Sequence, residues 1–122
     1  MRDRLKQLPV FFWGSTTFHC DTHWQPSADI YSTRTGWLLK VDLAGVRRED
    51  ITVEVSGSRI RVSGHRRDWV SEAGCRHHSM EISYNCFERI FELPGALEEA
   101  RIESDYRDGV LLIRVQAEGG KP

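Results

Sequence analysis

Ile51-Thr52-Val53-Glu54-Val55, then Gly57-Ser58, then Ile60-Arg61-Val62, is the stretch that decides the fold. The apolar residues at 51, 53 and 55 alternate with Thr52 and Glu54, so an extended chain puts them on one face. The Gly-Ser pair then returns the chain as a hairpin. Upstream, Trp37, Leu39, Val41 and Leu43 share a face opposite Leu38, Lys40 and Asp42. Downstream, Met80-Glu81-Ile82-Ser83-Tyr84 alternates again, and the run from Phe87 to Leu93 is stopped by Pro94-Gly95. Ile102, Ser104 and Tyr106 alternate with Glu103 and Asp105; Arg107-Asp108-Gly109 reads as a turn. Val110 to Val115 is apolar on both faces until Arg114, which predicts a strand covered on both sides. Short strands separated by turn signals predict an all-β sandwich or barrel in place of alternating βαβ units.

Helix signals are weak. Arg2 to Leu8 reads as a brief amphipathic turn limited by Pro9, and Ala96 to Ala100 as a short helical connector. The chain therefore divides into an apolar N-terminal arm over 1–28, a β domain over 29–115 and a short tail over 116–122.

With 122 residues, 39% hydrophobic and 29% charged, the chain has the size and composition of one folded domain. Seventeen basic against eighteen acidic side chains give a net charge of -1, so no overall field draws it to nucleic acid or an anionic membrane. No apolar run approaches the roughly 18 residues of a spanning helix. Pro9-Val10-Phe11-Phe12-Trp13 is too short for the apolar region of a signal peptide. The three cysteines, Cys20, Cys75 and Cys86, are an odd number in a domain that needs no staples. They fit a reducing compartment better than a disulfide framework, and the expected location is cytoplasmic.

Three features depart from a plain sandwich pattern. Arg89 falls on the same face as Phe87, Phe91 and Leu93, where a guanidinium needs a carboxylate or carbonyl partner or a second subunit to supply one. The preferred reading is a paired, interfacial arginine; the simpler one is a half-exposed face from which Arg89 snorkels to water. The arm collects Val10, Phe11, Phe12, Trp13, Phe18 and Trp24 without regular alternation. Such aromatics mark a contact surface for another chain or fold back to cap their own sandwich. Finally, the polar connection from His65 to His78 carries Trp69 and Val70 in its middle, which points to docking on a neighbour, against the alternative of a solvated loop.

Chemistry is sparse. His19-Cys20-Asp21-Thr22-His23 and Cys75-Arg76-His77-His78 hold metal-capable side chains without the paired spacing of a structural zinc site. Adventitious thiols and histidines are the better reading, so no metal and no cofactor is expected. Cys86 has no local histidine to act as its base, and there is no phosphate-cradling glycine loop, nucleophile elbow or acid/base pair. The chain does not read as an enzyme.

The residues together resemble the small heat shock protein family, the Hsp20 or α-crystallin domain group, in its bacterial and plant form. The resemblance runs from Trp24-Gln25-Pro26 through Val115. Its anchors are Val41-Asp42-Leu43-Ala44-Gly45-Val46, Glu49-Asp50-Ile51-Thr52-Val53, Ile60-Arg61-Val62-Ser63-Gly64, Phe87-Glu88-Arg89-Ile90-Phe91-Glu92-Leu93-Pro94 and Asp108-Gly109-Val110-Leu111. It implies an immunoglobulin-like β-sandwich with a strand-exchange loop, forming a homodimer and small higher oligomers or hetero-oligomers with other small heat shock proteins. It further implies a holdase that binds unfolding client proteins without ATP and acts in the stress response. Arg89 falls on the family's interface arginine, and the His65 to His78 loop would pair with the partner near Ile30 and Tyr31. The family's segment-binding groove would lie between Ile51, Val53 and Val55 on one strand and Ile102, Ser104 and Tyr106 on another. Val10, Phe11, Phe12, Trp13 and Phe18 would supply the client-binding arm.

Three positions depart from the family's habit: Ala44 where proline is frequent, Asn85-Cys86 where glycine-serine is common, and Ser104 where alanine is usual. The tail has no Ile-x-Ile motif, so the arm is the expected occupant of the groove, with Val10, Phe11, Phe12 or Trp13 supplying the bulk. Two other classes compete with the holdase reading. One is a β-sandwich co-chaperone adaptor binding one folded partner, which needs neither Arg89 on an apolar face nor a long exchange loop. The other is a redox or metal sensor built on Cys20, Cys75 and the histidines.

Overall fold

Alternation along each strand builds two sheets whose apolar faces meet. The computed structural model describes residues 7–13, 23–69 and 72–117. In chain order the strands are β1 (Gln7–Leu8), β2 (Val10–Phe12), β3 (His23–Trp24), β4 (Ala28–Ser32), β5 (Gly36–Asp42), β6 (Ile51–Ser56), β7 (Arg59–His65), β8 (Cys86–Glu92), β9 (Ala100–Arg107) and β10 (Val110–Ala117). One sheet has the order β1-β9-β10-β5-β4, the other β2-β6-β7-β8-β3. Of the sandwich or barrel that the strand pattern predicts it is the sandwich, the immunoglobulin-like one that the resemblance implies.

Leu39, Val41 and Leu43 of the first sheet and its connection face Val53, Ile60, Val62 and Phe87 of the second, all essentially without solvent contact. Leu111, Ile113 and Val115 complete the inner face of β10. Val110 and Leu112 are only half-buried, so β10 is covered on one side and not on both as its sequence predicts. The physical reason is that the described chain places a second layer against one face of this sheet alone. At the β9–β10 hairpin, Asp108 and Gly109 have φ of 55° and 79°. Two consecutive left-handed residues are what a two-residue hairpin turn demands, and Asp-Gly provides them.

Two further expectations are corrected. Met80 to Tyr84 forms no strand: the β7–β8 pairing ends at His65 opposite Cys86, and among the described residues no strand pairs with 80–84. Alternation without a pairing edge does not make a strand. Nor do Gln7 and Leu8 belong to a helical turn; they pair with Asp105 and Ser104 as β1. Residues 96–100 do contain a short 3-10 turn, Leu97–Glu99, with Leu97 buried beneath the β6–β7 hairpin. It is tied to that hairpin by the Leu97 amide donating to the Gly57 carbonyl at 2.9 Å.

Tyr106 on β9 locks the β5–β6 connection. Its hydroxyl lies 2.7 Å from the Leu43 carbonyl and 2.6 Å from that of Val46, two acceptors for one proton. Burial pushes the phenol above the ordinary tyrosine value of 10.0, and the Asp42 carboxylate adds to the rise. The folded chain thus holds this proton more tightly than the unfolded one, so the stability contributed is complete below pH 10 and is lost as pH climbs toward the folded value. Tyr106→Phe is expected to cost about 1 kcal/mol at neutral pH. The gap between variant and wild type should narrow above pH 10 in thermal unfolding followed by circular dichroism; a constant gap to pH 12 would contradict the assignment.

Candidate functional site

The groove expected between β6 and β9 is occupied by the chain's own arm. β1 lies antiparallel on β9, with Leu8 opposite Ser104, and β2 lies parallel to β6, with Val10, Phe11 and Phe12 opposite Val53, Glu54 and Val55. Consecutive residues therefore join different sheets. Pro9 sits at the crossing, where its lack of an N–H costs no ladder bond. The Ser104 hydroxyl donates to the Leu8 carbonyl at 2.8 Å, Arg48 donates to the Gln7 carbonyl, and the Trp13 amide donates to the Val55 carbonyl at 2.7 Å.

The side chains divide differently from the sequence expectation. Leu8 and Val10 pack against the core, joined by half-buried Ile102 and Tyr106. Phe11 and Phe12 point to solvent, 53% and 71% exposed. Leu8 and Val10 turn inward while Phe11 and Phe12 both stay outside, so the bulk in the groove is aliphatic. Ile51, Val53 and Val55 are core residues whose side chains are buried in the sandwich. What β6 offers the arm is its backbone edge.

The sequence reading missed a buried charge cluster beside this seat. Arg61 on β7 donates from Nη2 and Nε to Glu54 Oε1 at 2.6 and 2.9 Å, and its Nη1 lies 3.4 Å from Glu88 Oε2. Trp13 lies over the guanidinium at 4.5 Å from ring centroid to carbon. The Arg61 and Glu54 side chains are only 6% and 8% exposed. The pairing itself was available from the hairpin, since a two-residue turn sets Glu54 opposite Arg61.

Residues expected at a dimer face are separated in the single chain. Arg89 is half-buried on β8; its Nη1 donates to the Pro26 carbonyl at 2.6 Å and its guanidinium lies 4.9 Å from the Phe91 ring. Ile30 and Tyr31 are exposed on β4, whose outer edge carries no partner among the described residues. Trp69 is 55% exposed and stacks under Arg47 of its own chain. With Trp24, Arg66, Ile82 and Tyr84 it lines a cavity of about 670 Å³ at the base of the long connection. Val70, Phe18 and Cys20 lie outside the described residues.

Cys75 is a free, exposed thiol, whereas Cys86 is disulfide-bonded at the buried start of β8. The reading of three adventitious thiols is therefore corrected for Cys86: odd-number arithmetic cannot see a pair beside an unpaired cysteine. Among the described residues no three His, Cys, Asp or Glu side chains gather as a metal site. No described helix is long and apolar enough to cross a membrane.

Comparison with known proteins agrees with this architecture. A profile of the Hsp20/alpha crystallin family matches residues 29–121. Spore protein SP21 of Stigmatella aurantiaca is 33% identical over 88 residues, 72% of this chain and 52% of that protein. The chain thus spans about half the length of that relative. Small heat shock protein C2 of Rickettsia felis is 28% identical over 120 residues, covering 98% of this chain and 76% of that protein. Among solved structures, hspA from Xanthomonas axonopodis superposes with a TM-score of 0.64 at 29% identity, covering 80% of this chain and 97% of that one. The chain belongs to the Hsp20/alpha crystallin family.

Proposed function

We propose that the protein is an ATP-independent holdase that binds unfolding proteins through its arm and keeps them from aggregating. The observation that carries this reading is the display of Phe11 and Phe12 on a strand pinned to the sandwich edge. Such aromatics bury readily against the apolar segments that an unfolding chain exposes. Membership of the Hsp20/alpha crystallin family supports a chaperone role. In this proposal a homodimer is the working unit. Ile30 and Tyr31 on the bare β4 edge receive the partner's Trp69–Val70 segment, and the Arg89–Pro26 contact orders the chain entering β4. The edge seat between β6 and β9, with Ser104, Ile102 and Tyr106, holds the arm in position.

At near-equimolar ratio and without nucleotide, the chain is expected to suppress heat- or reduction-induced light scattering of an unrelated protein. Phe11→Ser with Phe12→Ser should lose most of that suppression while keeping the fold, because both side chains already face water. Absence of suppression by the wild type would overturn the holdase reading. Unchanged suppression by the double variant would remove the arm from it.

A further inference from the structure

We infer that the outer face of the second sheet selects which unfolding segments the protein holds: extended ones with two apolar side chains four residues apart and a Lys or Arg midway between them. This rests on the holdase reading and adds to it a substrate class. Residues directly opposite one another on neighbouring strands share a face. Phe11, Glu54, Arg61 and Ile90 stand opposite in turn across β2, β6, β7 and β8, so they form one row. The residues on either side of that row along β6 and β7, Val53 and Val55, Ile60 and Val62, are buried in the core, which puts the row on the outside.

Both ends of the row are apolar and open to solvent, Phe11 at 53% and Ile90 at 45% exposed. A single exposed apolar residue is ordinary; the row adds a spacing and a charge. Three strand spacings separate its ends, about 14 Å, which is the length of roughly four residues of extended chain. A segment lying across the strands therefore sets residues i and i+4 against Phe11 and Ile90, with i+2 on the same side above the middle.

The middle carries excess negative charge. One cation, Arg61, faces two carboxylates, and its shorter bonds at 2.6 and 2.9 Å both go to Glu54. Glu88 is left as the uncompensated partner, 3.4 Å from the cation with its side chain 27% exposed. It lies two residues from Ile90 on the same face of β8, about 7 Å along the strand and within reach of a long basic side chain. Arg59 and Glu92 on this face pair with each other at 3.4 Å and cancel. Half-buried Trp13 covers the Arg61 guanidinium, so the middle residue of the segment meets an indole ring and a carboxylate. Both favour a cation, and an acidic residue in that place is repelled.

The test uses two fluorescein-labelled synthetic peptides of serine and threonine with leucines four residues apart, one with lysine and the other with glutamate midway between them. Each is titrated by anisotropy against the full chain. The lysine peptide should bind about tenfold more tightly, since the charge reversal both removes an attraction and adds a repulsion. About 1 M salt should close most of that gap. Glu88→Gln should reduce it to roughly twofold. Equal affinities in the wild type, preference for the glutamate peptide, or a gap unchanged by Glu88→Gln would overturn the proposal. Should Glu88→Gln not fold, Ile90→Ser alters a side chain already open to water and should weaken the lysine peptide a few-fold; unchanged affinity would count against the site. A smaller assembly mass for Ile90→Ser in sedimentation would show that a second copy of the chain occupies this face, and the proposal would fall. Aggregation suppression measured in the same samples separates the two readings. Discrimination between the peptides without suppression sinks only the holdase reading, and suppression without discrimination sinks only this one.

Discussion

Arg61→Ala is expected to lower stability by about 3–5 kcal/mol, because it leaves the Glu54 carboxylate buried without its cation. Glu54 is 6% exposed, and both Arg61 contacts to it fall on one oxygen, Oε1. Glu88, more open, is the weaker partner at 3.4 Å. Replacing the pair together, Arg61→Met with Glu54→Leu, should recover most of the loss, since two well-packed apolar side chains avoid the desolvation of both charges. Chemical denaturation at one fixed protein concentration measures both variants. A single-variant loss below about 1 kcal/mol would mean that the pair behaves as a solvated surface bridge.

Gly64→Ala should be at least as damaging. A Cβ there would stand 1.8 Å from the Asp50 carbonyl oxygen and 3.0 Å from Cζ of Phe87. One obstacle is backbone and the other is a ring without solvent contact that meets Trp24 edge-on at 5.5 Å. Neither can step aside without opening the Ile51–Gly64 end of the β6–β7 ladder. A loss above about 3 kcal/mol, or failure to accumulate folded protein, is expected. A variant that melts within a few degrees of wild type would show that the two strands can separate at this point without cost.

Much of the sandwich was legible because its information is local. Ile51, Val53 and Val55 announce a half-buried strand by period two, and Gly57-Ser58 sets the register that opposes Glu54 to Arg61. What the sequence does not carry is which faces a second segment will cover. Glu54 and Arg61 sit on the face that alternation assigns to water, yet both are buried: they pair with each other, and Trp13, nearly fifty residues upstream of Arg61, lies over the guanidinium. Met80 to Tyr84 fails in the opposite sense: its alternation is clean, yet no strand among the described residues pairs with it. Arg89 was legible as a cation needing a partner on an apolar face, but the partner is a backbone carbonyl, which no side-chain pattern can specify. The inward turn of Leu8 in place of Phe11 or Phe12 likewise follows from the position of Pro9 between two sheet edges, a property of the assembled fold.

The seating of Leu8 on Ser104 also sets an order of events during synthesis. The two residues are 96 positions apart, and at about 5–20 residues per second the ribosome takes roughly 5–20 s to pass from one to the other. Phe11, Phe12 and Trp13 thus emerge well before the β9 half of their seat is made. Closing so long a loop is entropically costly until the hairpins between have formed. The arm therefore docks after the transition state for folding, and substitutions within it should speed unfolding while leaving the folding rate nearly unchanged.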